Sequence, residues 1–251
     1  MLANISDISI ISTPRDIVFI EALLGNGHQF GLNLTYLVQD APNGIAQAFN
    51  IAAKEIHGSK VCLILGDNLF YGQSLPTILL RATEQARGAT IFAYRVKDPE
   101  KFGVVEFDEA GAPRALIEKP KIFKSSWAVP GIYFYDETVV DRVKDLKPSP
   151  RGELEITDLN ISYLNDKLLR AEKMSRGIAW LDTGTPQSLI DASAFVKTIE
   201  DRQGLKIACL EEIALFKKFI SRQQLSKLVE TYPSCDYTDY LEKIVEGHFD
   251  N

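Results

Sequence analysis

The sequence predicts a three-layer α/β fold: a mixed, mostly parallel sheet with helices on both faces and a helical C-terminal appendage. Three observations carry this. From residue 5 to about 95, β-branched runs alternate with helix-period segments, the pattern of strands joined by helical crossovers. Gly25, Gly58 and Gly88 stand just beyond the helical segments, where a left-handed closing residue is wanted. Past Gly204, the apolar positions Leu225, Leu228, Leu241, Ile244 and Val245 recur at helical spacing.

Taken in order, "ISIIS" within Ile5–Ser12 has the density of a strand covered on both faces. Thr13-Pro14 reads as an N-cap with proline at the first helical position, opening a helix over Pro14–Leu24. Strands follow at Leu32–Val38, Val61–Leu65 and Ala89–Arg95, with helices at Gly44–His57 and Leu75–Ala86. "FGVVEFDEAGAPRALIEKP" reads as a hairpin turning through Asp108–Pro113, and "WAVPGIYFYD" as a strand bent at Pro130-Gly131. Helices at 137–145 and 155–165, a strand near 169–175, the run "IAWLDTG" and a helix over 185–202 complete an α/β domain spanning 1–203. Residues 204–251 form the helical segment.

Composition narrows the class. Hydrophobic content of 45% and charged content of 25% over 251 residues are ordinary for a globular chain with a sizeable core. A formal net charge of −6 argues against a nucleic-acid or anionic-membrane partner. No apolar run reaches the length of a membrane span, and the first residues lack a charged n-region with a cleavage site. Cys62, Cys209 and Cys235 are odd in number and far apart, which predicts a reducing compartment, the cytoplasm, and neither a disulfide scaffold nor a zinc site. His28, His57 and His248 lack metal-ligand spacing and read as surface residues.

Chemistry concentrates in five stretches. In "KVCLILGDNLFYG" an apolar run stops at Asp67, and "IAWLDTGT" repeats that grammar at Asp182. Ligands gather at the carboxyl ends of strands in open α/β sheets, so each aspartate is placed either to hold a cation or to form a turn. Mg²⁺ takes one or two carboxylates together with substrate phosphates and water, a demand that two strand-end aspartates meet. "LVQDAPNGIAQAF" offers Gln39 as donor and acceptor for a base edge, and Gly44 for close backbone approach to a flat ligand; an ordinary strand-to-helix turn is the alternative. Glu118 and Lys119 in "LIEKP" suit sugar hydroxyls and a phosphate, or form a solvated edge pair. "SPRGELEITD" gathers Arg151, Glu153, Glu155 and Asp158, whose acids also suit the first turn of a helix.

The order and context of "VQDAPNGIAQAF", "LILGDNLFYG", "FGVVEFD", "EKP", "SPRGELEITD" and "AWLDTGT" resemble those of bacterial glucose-1-phosphate thymidylyltransferases, members of the sugar-nucleotide pyrophosphorylases. The likeness covers essentially the whole chain. It implies a Rossmann-like nucleotide-diphospho-sugar transferase fold and the union of dTTP with glucose 1-phosphate, giving dTDP-glucose and pyrophosphate. By that resemblance Asp67 and Asp182 hold Mg²⁺, Asp67 also meets the nucleotide, and Gln39 and Gly44 read the thymine edge. Gly103, Glu118 and Val129 shape the sugar pocket, Lys119 meets the sugar phosphate, and Arg151 and Trp180 stand close by. The resemblance further implies a homotetramer, with C-terminal helices contributing to assembly. Phe102 stands where many relatives have tyrosine, and Ile45 where leucine is commoner.

One departure is large. The family opens with a strand and a Gly-rich G-x-G-T-R-L loop that cradles the triphosphate, and no such loop occurs here, so Met1 aligns with an interior position. A missing βαβ unit is about 30 residues, and one lost electrostatic donor costs about 10²–10³ in rate. The expectation is an N-terminally incomplete chain that turns over little by itself. A non-catalytic sugar-nucleotide-binding subunit and a uridylyl or cytidylyl transferase stay open beside the thymidylyl reading.

Overall fold

The computed structural model describes residues 1–248. They fall into two compact units, one formed by residues 1–38 with the chain from Glu200 onward, the other by Gln39–Ile199. The helical C-terminal segment therefore shares its unit with the first 38 residues, where the sequence reading divides the chain at 203/204.

In the smaller unit, β1 (Asp7–Ser12) and β2 (Asn33–Val38) pair in parallel and are joined through α1 (Ile17–Leu24). Thr13 opens the turn ahead of α1, its carbonyl accepting from Ile17 N at 3.1 Å. The larger unit continues with α2 (Gln47–Ile51), α3 (Ala53–Ile56), β3 (Val61–Ile64), β4 (Asn68–Tyr71), α4 (Leu75–Glu84) and β5 (Ala89–Arg95). Next come β6 (Val104–Phe107), β7 (Pro113–Ile117), β8 (Trp127–Ala128), β9 (Ile132–Tyr135), α5 (Val139–Lys144), α6 (Ile156–Asn165), β10 (Leu169–Lys173) and β11 (Ala179–Asp182), followed by α7 (Pro186–Gln203). The smaller unit closes with α8 (Leu210–Phe216), α9 (Arg222–Val229) and α10 (Asp236–Val245). These three pack Ala214, Leu225, Leu241 and Ile244 around Phe30 and Leu32.

The main sheet has the order β3-β9-β5-β8-β6-β7, with β10 on β5. Ala89–Ala93 of β5 and all of β9 are buried, so the centre of the sheet is covered on both faces. The sheet is mixed, but the parallel majority the sequence predicts is not there: β1–β2 and β5–β10 are parallel, and the other pairings among the described residues are antiparallel. The physical reason is β9. It lies antiparallel between β3 and β5, so two strands that read as parallel neighbours never touch. The predicted helix over Gly44–His57 shrinks to α2 and α3, which meet at Ala52; residues 44–46 form turns bonded three residues on, and Ala46 N donates to Leu154 O.

Asp136 ties the sheet to its helices. Its buried carboxylate accepts from Gly88 N at 2.6 Å, Thr138 N at 3.1 Å, Thr138 Oγ1 at 2.5 Å and Tyr163 Oη at 3.0 Å. Burial alone would raise its pKa; the hydrogen bonds outweigh that and hold it below the ordinary aspartate value. A lowered folded-state pKa adds stability above the unfolded-state value and loses it as pH falls through the folded one. Asp136→Ala strands the Gly88 and Tyr163 donors, at about 1–3 kcal/mol per unsatisfied group. Urea melts should show that deficit at pH 7 and a shrinking gap to the wild type as the medium is acidified; a pH-independent gap would contradict the assignment.

Candidate active site

Both strand-end aspartates belong to one small ribbon. β3 ends in a tight turn closed by Asn68 N donating to Leu65 O at 3.1 Å, and Asp67 sits in that turn. β4 leaves the turn and pairs antiparallel with β11, in a register that sets Asn68 opposite Asp182. Thr183 then clamps the ends together, its N–H and hydroxyl both donating to Asp67 O at 2.8 and 2.9 Å. The two carboxylates border the same space: a methyl placed on Gly184 would lie 2.9 Å from Asp182 Oδ1 and 3.5 Å from Asp67 Oδ2. Thr185 caps the helix that follows, its hydroxyl accepting from Ser188 N at 3.1 Å.

Two hard carboxylate oxygens beside an open cradle fit a divalent cation of the Mg²⁺ type, which takes its remaining ligands from phosphate and water. Among the described residues no group of three or more His, Cys, Asp or Glu side chains is arranged to hold a metal.

A second cluster adjoins the first. Trp180 of β11 donates from Nε1 to Asn68 Oδ1 at 2.6 Å, and its ring lies 5.0 Å from Phe102 and 5.7 Å from Tyr94. Gly103 follows Phe102, and its carbonyl accepts from Val129 N at 2.8 Å. A Cβ at Gly103 would stand 3.0 Å from Glu118 Oε2, so a side chain there would crowd the carboxylate. Thr157 at the start of α6 donates to that same oxygen at 2.6 Å. Lys119 is exposed, holds a left-handed backbone (φ 40°) and donates its N–H to Phe102 O at 3.1 Å. Its ammonium has no ion-pair partner among the described residues.

Arg151 closes this side. Its guanidinium forks onto Glu155, with Nη2–Oε2 at 2.8 Å and Nε–Oε1 at 3.1 Å, and reaches Glu118 Oε1 at 4.0 Å. The "RGELE" acids are thus partners for Arg151 first, and only Asp158 sits as a first-turn acid of α6. Burial, then the charge of Glu155, raises the Asp158 carboxyl.

Gln39 and Gly44, expected to meet a base edge, are bonded to each other and to their neighbours. Gln39 Nε2 donates to Gln47 Oε1 at 2.7 Å and to Gly44 O at 3.3 Å. Gly44 has φ 102°, and a Cβ there would fall 2.4 Å from Leu154 O. The close approach that requires glycine is therefore to the 149–155 loop, which bonds back through Leu154 N to Asn43 O at 2.7 Å and Ala46 N to Leu154 O at 3.1 Å. One loop positions Arg151 and props the Gln39 turn.

Several members escaped the sequence reading. Asn68, Thr157, Gln47, Thr183 and Gly184 bond directly to residues singled out above, and each lies beside a motif whose acid or glycine drew attention instead. Tyr133 is the other: burial, followed by the charges of Glu118 and Asp67, pushes its phenol well above the ordinary tyrosine value. As a residue of "IYFY" it is indistinguishable from core.

Comparison with known proteins follows the same outline. Residues 1–199 match the Nucleotidyl transferase family profile. A glucose-1-phosphate thymidylyltransferase of Neisseria meningitidis serogroup A is 50% identical over 246 residues, covering 98% of this chain and 85% of its own. A Bacillus anthracis glucose-1-phosphate thymidylyltransferase solved with sucrose superimposes with a TM-score of 0.71 at 41% identity, over 77% of each chain. A UDP-glucose pyrophosphorylase complexed with UDP-glucose, at 22% identity, shares the fold with a TM-score of 0.64 over 79% of this chain and 83% of its own.

The Gly44 contact makes a test. Gly44→Ala must move the 149–155 loop, and its cost should exceed the roughly 0.4–1 kcal/mol that a compatible Gly→Ala change returns. A lowered melting temperature with faster proteolysis near Arg151 is the expected outcome; an unchanged or raised melting temperature would refute the contact.

Proposed function

The chain belongs to the nucleotidyl transferase family, and on that premise we propose that it transfers a thymidylyl group from dTTP to glucose 1-phosphate, giving dTDP-glucose and pyrophosphate. The observation that carries the reading is the β4–β11 ribbon, whose two carboxylates border one space near Gly103, Glu118, Val129 and Trp180. In this reaction a sugar-phosphate oxygen bonds to the α-phosphorus as the bond to the β-phosphate oxygen breaks, and pyrophosphate leaves in line. Such a transfer asks the protein mainly for positioning and charge neutralisation.

Each residue then has a task. Asp67 and Asp182 hold Mg²⁺, which when bound neutralises phosphate charge. Lys119, the unpaired cation beside Phe102, meets the phosphate of glucose 1-phosphate as a point charge. Glu118 accepts from sugar hydroxyls, kept in orientation by Thr157 and within reach of Arg151. Trp180 backs the ring. Gln39 spends its amide N–H on Gln47 and Gly44, which leaves Oε1 to accept from the N3–H that thymine carries. In this proposal the protein is a cytoplasmic homotetramer, as the resemblance to the thymidylyltransferases implies.

Calorimetric titration with dTDP-glucose tests the reading. Binding should tighten in Mg²⁺, and Asp67→Asn or Asp182→Asn should abolish that increment; UDP-glucose should compete more weakly. In turnover, either substitution should cost on the order of 10²–10³ in rate, as loss of one electrostatic stabiliser does. Absence of dTDP-glucose binding with and without Mg²⁺ would overturn the proposal.

A further inference from the structure

Asn68 makes three hydrogen bonds with one side chain. Its Oδ1 accepts from Trp180 Nε1 at 2.6 Å and from Gly131 N at 2.9 Å, and its Nδ2 donates to Asp67 Oδ1 at 2.7 Å. The orientation of the amide follows from its partners. Indole and backbone N–H groups can only donate, so the atom facing them is the oxygen, and the NH₂ is left for the carboxylate.

We propose that Asn68 is a positioning residue that fixes the free oxygen of Asp67 toward Asp182 and couples the cation site to the hexose pocket. Capping Oδ1 leaves Oδ2 as the oxygen bordering the Gly184 cradle. On its other side the same amide holds Trp180, which packs on Phe102, and Gly131, two residues beyond Val129. A shift of the sugar wall therefore reaches Asp67 through one rigid planar group, and the reverse holds equally. Hydrogen-bond partners of metal-ligating carboxylates act in this way, and their loss costs about 10–100-fold in metal affinity or activity.

The inference rests on the reading of Asp67 and Asp182 as a cation pair, and its test separates the two. Mn²⁺ serves as the probe, titrated against the full chain with the free ion followed by electron paramagnetic resonance. Wild-type protein should bind Mn²⁺ in a manner abolished by Asp182→Asn. Asn68→Leu should weaken that binding about 10–100-fold and red-shift the indole emission of Trp180 in a Trp127→Phe background. Trp180→Phe removes the indole N–H that Asn68 Oδ1 accepts and leaves Asp67 and Asp182 in place, so the coupling is read in a double-mutant cycle. Its effect on Mn²⁺ binding should not add to that of Asn68→Leu, a non-additivity that a merely space-filling Asn68 would not produce. Should the Asn68→Leu variant bind Mn²⁺ as the wild type does, or the Trp180→Phe and Asn68→Leu losses add in full, the positioning role is refuted while the cation pair stands. Wild-type binding indifferent to Asp182→Asn would remove the pair, and this inference with it.

Discussion

The antiparallel pairing of β4 with β11 is the constraint on which the site depends. It joins segments more than a hundred residues apart, sets Asn68 across from Asp182, and leaves Asp67 at the adjoining turn with its carbonyl held twice by Thr183. Neither carboxylate needs a long side chain to reach the shared space, because the backbone delivers both. Short side chains on paired strands lose little rotamer freedom, so like charges can be held close without a large entropic cost on top of their repulsion. Slipping this register by one residue would turn Asp182 to the opposite face of the ribbon.

The main sheet supports that ribbon from below. β9 lies between β3 and β5, and its start carries Gly131, whose N–H meets Asn68. All four residues of the strand are buried, which holds it between its neighbours. Asp136 at its end fixes the other extreme against Gly88 and α6. A rigid strand thus runs between the anchoring network and the chemistry, so packing far from Asp67 bears on where its carboxylate points.

Much of this was legible in the sequence, and the remainder was not for definite reasons. Apolar runs that stop at Asp67 and Asp182 mark two strand-end carboxylates, each open to a cation-holding or a turn-forming reading. Periodicity could not reveal that those ends pair with each other, since antiparallel partnership of β4 with β11 is a long-range fact with no local code. The same limit produced the expectation of a parallel majority: helical crossovers imply parallel neighbours only until another strand is inserted between them, as β9 is. Gly44 was noticed for its freedom, yet what demands that freedom is Leu154, over a hundred positions away. Asn68 was passed over since its neighbour carries the charge, although its amide makes three bonds where each strand-end carboxylate has one amide donor.

The donor count of the cation side carries a last consequence. Two carboxylates supply too few oxygens for an octahedral ion, and no third acidic, histidine or cysteine ligand is arranged beside them among the described residues. Magnesium dehydrates reluctantly and completes its shell with phosphate oxygens and water. Under the proposed function, a pair of this kind would suit an ion that arrives with, and leaves with, a phosphorylated ligand. Acidic neighbours make that economy useful. Glu118, Glu153 and Glu155 already crowd Arg151, and a third carboxylate at the ribbon would repel the polyphosphate whenever the ion was away. Under the proposed function Lys119, left without an ion pair among the described residues, would offset part of the same repulsion.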